Sequence, residues 1–143
     1  MRILMILVLA GGLYGAWQWW QDREAASEVI PSPNGFVPVE MPAGVAPGAV
    51  LVLAPRNCPS EQARRTEALV QQLDRAGIPV VRGDGFSFDV ADPTREQMAG
   101  IDRAVEVFKR GAPAVFVHGM AMSNPTAAQT IAEYRAGRSR SAR

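Results

Sequence analysis

One cysteine and one histidine in 143 residues leave little room for several common chemistries. A single thiol excludes an intramolecular disulfide, and with a single imidazole it leaves no Cys/His zinc site within one chain. Any metal centre or disulfide would need a second chain, and neither a metal nor a cofactor is expected. The formal net charge of +1 gives the chain as a whole no electrostatic preference, so nucleic acid is not an expected partner. There is no internal repeat and no room for a second domain. Between Gly48 and Arg135 there are roughly 90 residues, enough for one core and near the lower end of comfortable stability. Asp84, Asp89 and Asp92 lack the ligand spacing of a calcium loop and suit a turn and a helix cap. His118 has no serine, aspartate or metal-ligating neighbours in sequence and reads as a turn residue, while Met98, Met120 and Met122 read as core filler.

What is present begins with a long apolar segment. From Ile3 to Trp17 no side chain is charged, and Trp19-Trp20 follow before Asp22 and Arg23. As a helix, residues 3 to 20 would extend roughly 27 Å, close to the hydrocarbon thickness of a bilayer. All three tryptophans fall at its C-terminal end, where amphipathic rings favour the headgroup boundary. Arg2 precedes the segment and Asp22, Glu24 and Glu28 follow it, which puts the N-terminus inside. The expectation is a single-pass anchor (1 to 22) in a bacterial-type inner membrane, contacting lipid through residues 3 to 20, with a periplasmic domain. A cleaved signal peptide is the competing reading. Its best cut, after Ala16, places Tyr14 where a small residue is needed.

Residues 23 to 47 contain Pro31, Pro33, Pro38, Pro42 and Pro47 and read as a spacer. Within it, Phe36 to Met41 is apolar enough for an edge strand, since Pro38 confines any strand to a sheet margin. The domain proper is expected over 48 to 135. Ala49 to Ala54 reads as a buried strand, followed by a helix from Pro59 to Ala76 with Thr66, Leu69, Val70 and Leu73 on one face. Ile78 to Val81 is a second strand. Phe86, Phe88 and Val90 alternate with Ser87 and Asp89 as a half-buried extended piece. A helix from Pro93 to Arg110 carries a stripe of Met98, Ile101, Val105 and Phe108. Ala114 to Val117 is a third strand, His118-Gly119 a hairpin turn, Met120 to Met122 a return strand, and Pro125 to Tyr134 a closing helix. Residues 136 to 143, with Arg138, Arg140 and Arg143 among small residues, read as a basic disordered tail. The three helix starts, Cys58-Pro59, Asp92-Pro93 and Asn124-Pro125, put proline at the first helical position, with Asp92 and Asn124 as caps.

At the first of these starts the cap position holds a thiol. Cys58 follows the Ala49 to Ala54 strand after Pro55-Arg56-Asn57, so its sulfur should stand at the carboxyl end of a strand and the amino end of a helix. The partial positive charge and free amides there favour a thiolate. Arg56 would push the same way and Glu61 would oppose it. The second element is Gly111-Ala112-Pro113-Ala114-Val115-Phe116-Val117, a strand entered through a proline that donates no ladder bond, a common place for a cis peptide. Read plainly, Cys58 is an inert packing thiol and Pro113 a structural residue.

Taken in order, the strand Val50 to Ala54, the Cys58-Pro59 helix start and the later run Gly111 to Gly119 resemble the thioredoxin-like superfamily, over about residues 48 to 135. The resemblance implies an α/β fold with a central mixed sheet of about four strands flanked by three helices. It implies Cys58 as the catalytic nucleophile and Pro113 as a cis-proline, with backbone groups of Ala112 and Ala114 lining the place where a peptide or thiol binds. The chain departs from the pattern at Glu61, which stands where that family has a resolving cysteine or serine. A dithiol cycle is therefore excluded, and a mixed disulfide on Cys58 would need an external thiol for release. The activity implied is monothiol disulfide exchange with a protein or small-thiol partner. The alternative is a non-catalytic thioredoxin-like binding or assembly module of the cell envelope, and a disulfide-linked dimer is a third arrangement open to one cysteine.

Overall fold

Apolar runs four residues long, too short for helices, form the interior of the sheet. In β2 (Val50–Leu53) and β4 (Ala114–Val117) every residue is buried, as strands covered on both faces require. The computed structural model describes residues 2–27, 29–57 and 60–143, and within the N-terminal helix the side chains of residues 5 and 8–19. Two compact units divide the chain, Met1–Ile30 and Pro31–Arg143.

The first unit is one helix, α1 (Arg2–Ser27). Its large apolar side chains that are described, Met5, Val8, Leu9, Leu13, Tyr14, Trp17 and Trp19, are all exposed. Among the described residues, no helix is long and apolar enough to cross a membrane, which gives the spanning segment expected over 3 to 20 no support.

The second unit is α/β. Two further strands, β3 (Val80–Gly83) and β5 (Met120–Ser123), flank the interior pair, and β1 (Val37–Pro38) adds a short margin. The order is β1-β5-β4-β2-β3, with β2 and β3 parallel and the other neighbours antiparallel. Pro38 sits on the outermost strand, where a missing N–H costs nothing in the ladder. The expected Ile78 to Val81 strand is displaced by two residues. Ile78 is instead buried, its amide closing the end of the preceding helix on the Leu73 carbonyl at 3.0 Å.

Alternation along the strands feeds two cores. Val50, Val52, Val115 and Val117 face α2 (Ser60–Arg75) and α4 (Ala127–Ser141), meeting Leu69, Leu73, Ala127, Tyr134 and Phe36. Leu51, Leu53, Ala114 and Phe116 face the other way, toward Ala104 and Val107 of α3 (Arg95–Arg110). Phe86 and Phe88 complete this second core from an extended segment outside the ladder. Phe86 meets Phe108 edge-on, with ring centres 5.2 Å apart. The predicted alternation is observed, with Ser87 and Asp89 exposed between half-buried neighbours.

Four further expectations are corrected. The buried residues of α3 are Gly100, Ala104 and Val107, and Met98 is exposed. Small residues won because residues 39–40 cross this helix closely: a Cβ on Gly100 would lie 2.8 Å from the Glu40 amide nitrogen. The helix caps are Thr94 and Thr126, in place of Asp92 and Asn124. Each Thr hydroxyl accepts from the amide three residues on, and Gln97 or Gln129 returns the bond in a capping box. Pro93 and Pro125 therefore precede the cap. Finally, α4 continues to Ser141, through most of the tail expected from 136, because Arg140 reaches back to Glu133. The spacer expected over 23 to 47 likewise gives way to helix up to Ser27 and, from Pro31, to part of the folded unit, with Phe36 fully buried.

Candidate functional site

The register of the sheet brings together two chain segments that lie far apart in sequence. Leu53, at the end of β2, pairs with Ala114, at the start of β4. The connection Ala54 to Asn57 and the Ala112-Pro113 step thus share one end of the sheet. Cys58 and Pro59, which follow that connection, lie outside the described residues. The two charges expected to act on the thiol both have other partners. Arg56 pairs with Asp84, and Glu61 with Arg65 one turn along α2. All four side chains are largely exposed, so their influence on a neighbour is screened by solvent.

The peptide bond between Ala112 and Pro113 is cis. Pro113 is buried and lines a groove of about 450 Å³ between α2 and the start of α4. Arg65, Leu69 and Gln72 form one wall, and Asn124, Pro125 and Thr126 the other. Ala112 and Ala114, expected to line the same place, are buried and stand outside this lining. The strand edge before Pro113 is partly closed. The Asn124 amide donates to the Pro113 carbonyl at 2.7 Å, and the Ser123 hydroxyl donates to the Gly111 carbonyl at 3.0 Å. Asn124 achieves this in the left-handed region, at φ +49°, a role that its reading as a helix cap missed. Between those two carbonyls, the amide and carbonyl of Ala112 have no partner among the described residues.

A second polar cluster occupies the opposite end of β4. His118 and Gly119 both have positive φ, +47° and +76°, the pattern of a two-residue hairpin turn, as expected. What sequence reading missed is the buried Glu133. It has no solvent exposure and accepts hydrogen bonds from Ser32 Oγ at 2.7 Å, Asn34 Nδ2 at 2.9 Å and Arg140 Nη2 at 2.9 Å. Burial pushes its carboxyl up, but those three hydrogen bonds and the Arg140 charge outweigh burial and hold it below the usual carboxylate range. A usable signal was present. Glu133 is the one acid among residues 111 to 143, and it lies beside the helical stripe Ala127, Thr130, Tyr134 and Gly137, all buried. Among the described residues, no group of three or more His, Cys, Asp or Glu could hold a metal ion.

The groove end offers an apolar floor and a polar rim. At the other end the Glu133 carboxylate is satisfied by three donors and suits holding chain segments together. Set against protein-family models, curated proteins and solved structures, the chain matches none.

Proposed function

We propose that this is a membrane-tethered, extracytoplasmic thioredoxin-like protein in which Cys58 exchanges disulfides as a monothiol. The observation that carries the reading is the Leu53–Ala114 register, which joins the segment leading to Cys58 and the segment opening at Pro113 at one end of the sheet. The strand order β3-β2-β4-β5, with only the first pair parallel, also supports the resemblance. In the proposed step the Cys58 thiolate attacks one sulfur of a partner disulfide. That S–S bond breaks, a mixed disulfide forms, and the other partner sulfur leaves as a thiolate. An external thiolate then attacks the partner sulfur of the mixed disulfide, a new disulfide forms between those two, and Cys58 leaves as the thiolate.

The tether rests on sequence: the uncharged run Ile3 to Trp17, the terminal tryptophans and the apolar side chains exposed around α1. Extraction of membranes with alkaline carbonate tests it, and release of the chain into the supernatant would dismiss it. For the thiol, the rate of Cys58 alkylation against pH is the direct measurement. The exchange reading predicts a midpoint well below that of free cysteine and a mixed disulfide trapped from membranes. A titration like that of free cysteine, with nothing trapped, defeats it.

The groove lined by Pro113, with an apolar floor and a polar rim, favours a second reading, a non-catalytic module that holds an extended peptide. Under this reading a Cys58→Ser variant retains full function, whereas under the first it loses it. A non-reducing gel shows whether Cys58 instead links two copies.

A further inference from the structure

His118, the one histidine of the chain, is half-buried beside α4. Its ring lies against the backbone of α4: a Cβ on Gly137 would come 2.7 Å from the His118 Cβ and closer still to the ring. Tyr134 faces it, with 5.4 Å between ring centres. The Nε2 atom is buried and has no hydrogen-bond partner among the described residues. Among the described residues, the charged groups that act on it are Arg138, Arg140 and Glu133, each on α4. Glu133 does not bond it: Oε2 accepts from Ser32 and Asn34, and Oε1 accepts from Arg140. A proton taken up at Nε2 would leave that N–H with no acceptor among the described residues, in the field of two arginines. Burial, then Arg140 and Arg138, hold the imidazole below its ordinary value of 6.5, against the opposing pull of Glu133.

We infer that His118 is an acid-operated latch: on protonation its ring leaves its seat under α4, the last turns of that helix come free, and the hold of Glu133 on Ser32 and Asn34 loosens. Beyond the transfer of one proton from solvent to the imidazole, no covalent bond changes. The freed segment is the one that joins the sheet to residues 1–30. Its stretch from Pro31 to Gly35 would supply up to about 18 Å of slack chain, while Phe36 stays in the core. The latch does not depend on the chemistry proposed for Cys58, and its test leaves that thiol intact.

Amide hydrogen exchange on the full-length chain in neutral detergent, at pH 7 and pH 5 and corrected for intrinsic rates, reads the latch directly. The reporters are the amides of residues 137–141, together with Ser32, Gly35 and Phe36, which are bonded within the held segment. Protection should fall several-fold on going to pH 5, with a ceiling of about 30-fold set by the ordinary value of 6.5. In His118→Gln the same amides should change by less than about twofold. Unchanged protection in the native chain, or an equal fall in the variant, overturns the latch. Should the variant fail to fold at pH 7, ring resonances of His118 in the native chain decide. The opening must track their titration within about half a pH unit, and separated midpoints overturn the latch equally.

Discussion

Glu133 concentrates more of this protein's polar energetics than any other described side chain, because three donors from two distant parts of the chain converge on one desolvated carboxylate. Replacing it with Ala would leave Ser32, Asn34 and Arg140 without their acceptor. Arg140 is half exposed and can rehydrate, so the expected loss is about 2–4 kcal/mol, read as a lowered midpoint in urea. Because the folded state holds this carboxyl below its ordinary 4.5, the stabilisation is complete above that value and is lost as pH falls through the folded-state value. Acid titration of stability should therefore show a component below about pH 4.5 that is missing in Glu133→Gln; an identical acid limb in both would contradict it. Gly137 is constrained as tightly for a steric reason. Gly137→Ala should destabilise by about 2 kcal/mol or more despite the better helix propensity of alanine, and His118→Ser in the same chain should recover part of the loss. The stripe beside Glu133 was legible in the sequence, and its partners were not. A lone glutamate in a helix is ordinary, and only the fold shows that residues 32 and 34 return to it.

At the scale of elements, the helices are specified by their ends as much as by their faces. Thr94 and Thr126 each close a capping box, and a Thr→Ala change at either should cost about 1 kcal/mol in thermal or denaturant unfolding. The corresponding changes Asp92→Ala and Asn124→Ala should leave helix content unaltered, although loss of Asn124 from its left-handed turn should perturb the groove. The T-x-x-Q spacing was legible in the sequence and outweighs the proline that precedes it. The face of α2 was legible for the opposite reason, since Thr66, Leu69 and Leu73 are its buried residues and large side chains mark them. The face of α3 was not. Its largest apolar residues lie at the flanks, and the helix buries Gly100 and Ala104 so that residues 39–40 can cross it. Gly100→Ala should consequently cost about 1–3 kcal/mol and loosen that crossing, seen as faster amide exchange at Val39, whose N–H bonds the Gly119 carbonyl.

At the scale of the whole molecule, the division at Ile30 and Pro31 predicts that residues 31–143 unfold on their own as one cooperative transition. Removing residues 1–30 should move the melting temperature of that transition by less than about 2 °C, and a larger shift would mean that the two units stabilise each other. The strand content, the hairpin at His118-Gly119, the margin position of Pro38 and the amphipathic face of α2 all followed from sequence by itself, because each depends on local periodicity or on what proline and glycine permit. Tertiary structure alone decided which small residues are buried in α3, how far α4 extends, and that Ser32, Asn34 and Arg140 meet at Glu133. Those outcomes depend on contacts between residues as many as 101 positions apart, and the desolvation and close approach that govern such contacts leave no periodic trace in the chain.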